Sequence, residues 1–155
     1  MTSINLKQTF EEVKLVYSNK TKAADRQLVN TSNLAYEVLF ESWDQDQIDL
    51  LEEFKMLLLD RSGRLMSIAS ISKGGMAGTI VDPKVIFSIA LKRRAHSLII
   101  AHNHPSQNLK PSAADVNITH KLKSIGKSLN LEILDHLIVS SDGYYSMCDE
   151  GLIMD

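Results

Sequence analysis

The sequence predicts an α/β domain built on a mixed sheet, in two or three layers. Three observations carry that prediction. Apolar runs of strand length recur at residues 52–60, 97–101 and 131–139. Stretches with apolar residues at helical spacing lie between them, at 83–94 and 112–125. Two further strands, at 65–71 and 144–147, each follow a strand through a turn with no helix between, so the order is not a regular β-α-β one and the strands cannot all be parallel. The chain has 155 residues, which suits one domain. Apolar residues make up 44% and charged residues 23%, with mean hydropathy −0.08, which excludes a disordered chain and a membrane-embedded one. No apolar run approaches the roughly 20 residues of a membrane helix. Met1 to Phe10 shows no basic head followed by an apolar stretch, so no secretory signal is read. The one cysteine, Cys148, excludes an internal disulfide and a cysteine-based zinc finger. A soluble cytoplasmic domain is expected.

In chain order, Glu11 to Tyr17 reads as a short strand centred on Val13 and Leu15, and residues 18–32 as loop. Thr31-Ser32-Asn33 supplies capping groups for a helix near 33–47, with Leu34, Val38 and Leu39 apolar. Glu52 to Asp60 reads as a strand, Arg61 to Arg64 as a turn and Leu65 to Ile71 as the returning strand of a hairpin. Gly74, Gly75 and Gly78 suit close backbone approach or a bulge. Asp82-Pro83 opens a helix whose last turns carry Lys92, Arg93 and Arg94, where cations suit the helix dipole. Ser97 to Ala101 is a short buried strand, and a loop with Pro105 and Pro111 follows it. Ser112 starts a second long helix through Val116, Ile118, Leu122 and Ile125. Leu131 to Val139 is a strand, Ser141 to Gly143 a turn, and Tyr144 to Met147 a last short strand with its tyrosines packing at the sheet edge.

The net charge of −2 hides an asymmetry. Residues 36–60 carry eight acids and one base, and residues 81–130 carry eight bases and two acids. A basic face for nucleic acid is one reading, and solvated helix faces are the better one. Only Phe87 interleaves the bases, so a base-stacking platform is not supported.

The stretch Ala101 to Asp115, AHNHPSQNLKPSAAD, carries the chemistry. His102 and His104 are two apart at a strand end, and in extended backbone such residues point to the same side. Two imidazoles side by side can chelate one cation. Ser112 and Asp115, three apart, share the first turn of the following helix. Two histidine nitrogens and one carboxylate oxygen leave a fourth tetrahedral position for water, the arrangement of catalytic zinc. Such an ion lowers the pKa of its water to about 7. The chemistry also needs a proton shuttle and a donor to the developing oxyanion. Ser112 can be that donor, and Glu52 and Glu53 are the shuttle candidates. Both faces of their strand are largely apolar, so periodicity does not choose between them. The competing readings are plain: polar histidines at a strand end, and a Ser112–Asp115 capping box. His136 is either a group beside the ligands, a substrate-facing group or a satisfied core histidine, and Asp135 its partner or a turn residue. His96 and His120 read as surface helix residues, and Cys148 as inert.

H-x-H, seven residues, then S-x-x-D, with an upstream glutamate at the head of a strand, resembles the metal-binding motif of the JAB/MPN metallopeptidases, the JAMM motif. HNHPS, the following P-S-x-x-D, LLDxxxRLMSIASISKGGMAGT, ILDHLIVS and YYSMCDEG resemble the RadC family more specifically, over about Ser32 to Gly151. The resemblance implies a cytidine-deaminase-like JAB/MPN fold, a mixed sheet flanked by helices. It implies one zinc ion held by His102, His104 and Asp115, with Ser112 and Glu52 completing the site. It implies cleavage of an amide bond, peptide or isopeptide, in a peptide or protein substrate. The alternative is a non-catalytic DNA- or protein-binding accessory factor associated with DNA repair. Longer members begin with a helix-hairpin-helix domain for which these residues leave no room. Gln107 stands where the family usually has glycine. Residues 1–30 are expected to form an N-terminal extension with a short strand, and 31–155 the RadC-like JAB/MPN domain. Other zinc chemistries fit worse. A nucleobase deaminase needs P-C-x-x-C, HExxH is absent, and amidohydrolases use H-x-H on barrels of about 250 residues.

Overall fold

Every residue of strand β1 (Glu53–Leu59) is buried, so both of its faces need cover and it must lie inside a sheet. The computed structural model, which describes residues 10–75 and 79–153, shows how that cover is supplied. β1 pairs antiparallel with β2 (Leu65–Lys73) on one side and with β3 (Ser97–Asn103) on the other. β3 runs parallel to β4 (Glu132–Ser140), and β4 pairs antiparallel with β5 (Gly143–Ser146). The five strands therefore stand in the order β2-β1-β3-β4-β5, a mixed sheet.

Helix α1 (Ser32–Ser42) covers one face, where Ala35, Leu39 and Trp43 pack on Leu57, Leu59, Ile99, Ala101 and Leu137. Helices α2 (Pro83–Lys92) and α3 (Ala113–Ser128) cover the other, where Ile86, Phe87, Ala90 and Leu122 pack on Phe54, Met56, Leu58 and Ile100. The period-2 alternation of strands sorts these side chains between the two faces, and the architecture is three layers. α3 is the crossover that parallel β3 and β4 require.

Local chemistry sets the ends of these elements. Thr31 caps α1 by accepting from the Leu34 N–H, and Asp82 caps α2 by accepting from Lys84 with Pro83 in the first turn. In the hairpin turn Asp60 Oδ1 accepts from the N–H groups of Ser62 and Arg64, at 2.9 and 3.0 Å, and Gly63 supplies a φ of 74°. Tyr36 and Tyr144 stack at 4.8 Å where β5 closes the sheet edge.

Several expectations need correction. Glu11 to Tyr17 is not a strand: Val13 and Leu15 are 90% and 96% exposed. Among the described residues its apolar side chains have no neighbouring strand to pair with, and Tyr17 instead lies 5.6 Å from the guanidinium groups of both Arg93 and Arg94. The first helix stops at Ser42 rather than continuing to 47. Lys55, buried in mid-β1, sends its ammonium 2.7 Å to the Ser42 carbonyl and over the Trp43 ring. Burial pushes the pKa of Lys55 down, against the pull of Glu53 3.9 Å away. A Cβ on Gly75 would meet nothing within 4 Å, so close approach is not what that glycine provides, and Gly78 lies outside the described residues. His96 is exposed but sits in the turn before β3, not on a helix.

Candidate metal centre

β3 runs two residues further than its apolar core, through His102 and Asn103. That extension builds the site. His102 is paired across the sheet with Phe54 of β1, and the two rings lie stacked at 6.2 Å. It therefore projects onto the α2–α3 face. His104 follows in the loop. Its Nδ1 donates to the Asn108 carbonyl at 2.5 Å, since a carbonyl can only accept, which turns Nε2 inward. His102 Nε2 and His104 Nε2 are 2.9 Å apart.

Asp115 comes from the first turn of α3. Oδ1 lies 3.3 Å from His102 Nε2 and Oδ2 3.3 Å from His104 Nε2. The capping box also forms: Ser112 Oγ accepts from the Asp115 N–H at 3.0 Å, and Asp115 Oδ2 accepts from the Ser112 N–H at 2.8 Å. The ligand and cap readings thus hold together, because the backbone bond uses Oδ2 and Oδ1 faces His102. Burial would raise the Asp115 pKa, but with no ion bound, imidazoles protonated toward the carboxylate outweigh it and hold the carboxyl far below the usual range. Asp115 in turn raises the pKa of His104. Imidazole nitrogens and carboxylate oxygens converge here with ligand-capable atoms all within 4.8 Å, so the group can hold a metal ion.

The two glutamates separate cleanly. Glu52 lines the same pocket as His102, Asp115 and His136, together with Phe54, Val81 and Ile118. Glu53 faces the opposite side, where it accepts from Ser70 at 2.8 Å and lies 3.9 Å from both Lys55 and Lys73. Asn103 explains the placement. Its side chain accepts from the Glu53 N–H at 2.7 Å and donates to the carbonyls of Ile48 and Leu51, at 2.7 and 2.8 Å. It pins the segment that presents Glu52. The Glu52 carbonyl also accepts from Gly74 at 2.8 Å.

His136 is fully buried at the back of this pocket, with Nε2 2.8 Å from His102 Nδ1, so it stands beside the candidate ligands. Asp135 is neither its ring partner nor a turn residue; it ties β4 to the segment after it, accepting from Ser146 Oγ and the Cys148 N–H. Sequence reasoning missed Asn103 and Thr119. Thr119 stands four residues after Asp115, one helical turn on, and that spacing was the only available signal.

Gln107 adopts φ 65°, the left-handed conformation that glycine takes without strain. Gln107→Gly is expected to raise stability by about 0.5–1 kcal/mol, the strain relieved (about 1–2) less the extra chain entropy of glycine (about 0.5–1). Urea unfolding checks this. A lower midpoint would mean that the 3.2 Å Gln107–Ser141 hydrogen bond outweighs the strain.

Comparison with known proteins decides the lineage. Residues 29–152 match the sequence model of the RadC-like JAB domain. The chain belongs to the RadC family. A UPF0758 protein of Flavobacterium johnsoniae is 50% identical over 101 residues, covering 65% of this chain and 44% of that protein. UPF0758 proteins of Syntrophomonas wolfei and Porphyromonas gingivalis are 44% and 39% identical over 102 and 103 residues, 66% of this chain in each case and 43% and 45% of theirs. The chain thus matches less than half the length of these RadC relatives. Among the described residues, no helix is long and apolar enough to cross a membrane.

Proposed function

We propose that this RadC-like domain is a zinc-dependent hydrolase of the JAMM type, acting on an amide bond of a peptide or protein, whether peptide or isopeptide. The observation that carries the reading is the convergence of His102, His104 and Asp115 on one point, at a pocket that His102 and Asp115 line together with Glu52. Four-coordinate zinc with bonds of about 2.0–2.1 Å spaces its ligand atoms about 3.3 Å apart. The nearest separations here are 2.9, 3.3 and 3.3 Å. His102, His104 and Asp115 would hold the ion, which when bound polarises a carbonyl and acidifies water. Glu52 takes the proton from the attacking water and delivers it to the leaving amine. Ser112 Oγ accepts from Asp115 and keeps its own hydrogen, which supports the tetrahedral oxyanion. The cytoplasm is the compartment proposed, since one cysteine gives no disulfide framework.

Metal analysis of protein purified without chelator tests the first half. About one equivalent of zinc is expected, and a protein that neither carries zinc nor takes it up overturns the proposal. A panel of quenched peptide and isopeptide substrates tests the second half. Glu52→Gln is expected to keep the metal and lose turnover on the order of 10²-fold. Equal behaviour of wild type and Glu52→Gln would favour the accessory-factor reading, as would salt-dependent binding to DNA without turnover.

A further inference from the structure

Behind the ligands runs a buried chain of hydrogen bonds whose polarity is fixed from its far end. Thr119 Oγ1 lies 2.6 Å from the Asp115 main-chain carbonyl, 2.5 Å from His136 Nδ1 and 3.6 Å from Met147 Sδ. A carbonyl only accepts, so the single hydroxyl hydrogen belongs to Asp115, and a thioether sulfur is too weak an acceptor to compete. The opposite polarity would press two bare oxygens together at 2.6 Å. His136 Nδ1 must therefore carry hydrogen and donate to Thr119. His136 is fully buried, its ring nitrogens meet only the Thr119 hydroxyl and the His102 ring, and among the described residues no carboxylate pairs with it; a ring with a single N–H spends it on Thr119, so its Nε2 is a lone pair. That lone pair faces His102 Nδ1 at 2.8 Å, and His102 must donate to it. In the neutral ring, the form that can ligate a metal, the nitrogen of His102 left without hydrogen is Nε2, the atom that faces His104 and Asp115.

We infer that Thr119 and His136 form a tautomer lock, two positioning residues that hold His102 as the Nδ1–H form so that Nε2 is always presented as a metal donor. The inference rests on the metal reading for its purpose, but not for its geometry. His104 is held in the same tautomer by the Asn108 carbonyl. The two ligand histidines thus use different devices: a local loop carbonyl for His104, and a relay through β4 and α3 for His102. Hydrogen-bond partners of this kind orient ligating imidazoles and raise their basicity, and losing one typically costs 10- to 100-fold in metal affinity.

The lock is readable in metal-free protein. Long-range ¹H–¹⁵N spectra of histidine-labelled wild type should show both His136 and His102 protonated at Nδ1; an Nε2-protonated His136 overturns the inference. Thr119→Val keeps the shape and removes the hydroxyl, and zinc affinity by chelator competition should fall about 10- to 100-fold. Thr119→Ser should restore it to within about threefold of wild type. A Thr119→Val protein that binds zinc as wild type does overturns the lock. A wild type that binds no zinc overturns the metal reading instead, and the spectra still decide the tautomers. Should Thr119→Val not fold, the wild-type spectrum and Thr119→Ser remain decisive.

Discussion

Replacing Asp115 by asparagine is expected to lower metal affinity at least about 10³-fold while the metal-free fold stands. The wild-type site brings a carboxylate against two inward imidazole nitrogens, with separations of 2.9 to 3.3 Å. Such a cluster of acceptors is satisfied by a positive charge at its centre. Asparagine changes that balance. Its oxygen can still accept from the Ser112 N–H, so the first turn of α3 keeps its box. Its NH₂ then stands in the Oδ1 place, 3.3 Å from His102 Nε2, and donates to that lone pair without an ion. A neutral hydrogen bond then stands where the ion would be shared, and one of the three proposed protein ligands is lost. Zinc titration against a competing chelator reads the first effect, and thermal melts of the metal-free proteins read the second. An Asp115→Asn protein binding zinc within about tenfold of wild type would remove Asp115 from the ligand set. A metal-free Asp115→Asn protein that fails to fold would show that the carboxylate's charge, and not its shape, holds the helix start.

Gly126→Ala is expected to cost about 2–3 kcal/mol of stability and to lower Tm by about 5–10 °C. Gly126 lies in the last turns of α3, where alanine would ordinarily gain about 1 kcal/mol in helix propensity. Sterics reverse the sign. A Cβ at this position would sit 2.2 Å from the main-chain oxygen of Leu131. Backbone cannot rotate away as a side-chain tip can, and the Leu131 N–H is bonded to the Gly126 carbonyl at 2.8 Å, which clamps the two segments. Relief requires shifting the start of β4, the strand that carries His136. Calorimetry gives the test. A Tm equal to or above that of wild type would mean that the α3–β4 junction yields, and that helix propensity dominates.

Most of the fold could be read from local pattern. The β1–β2 hairpin, α2, α3 and β4 each announce themselves through apolar period and capping residues, and their observed bounds fall close to the expected ones. The candidate metal group was legible for a similar reason. His102, His104 and Asp115 lie within one strand-loop-helix segment, so spacing alone brings them near each other. What was illegible depends on contacts distant in sequence. Glu52 and Glu53 are neighbours on the same strand approach, and the choice between them is made by Asn103, about 50 residues away. The end of α1 depends on Lys55 reaching back from β1. Thr119 and His136 meet only because α3 packs on β4. The apolar residues at 11–17 look strand-like because sequence shows alternation and cannot show whether a ladder partner exists.

One division in the architecture has a consequence for how the molecule fails. The candidate ion-holding side chains belong to β3, the loop after it and the start of α3, whereas the proposed proton carrier stands just before β1 on a backbone fastened by Asn103. Loosening at the β1–β3 seam would separate the carboxylate from the ion before the ion lost its holders. Under the proposed function, a partly opened molecule would keep its ion and lose turnover, so damage would end hydrolysis without releasing metal.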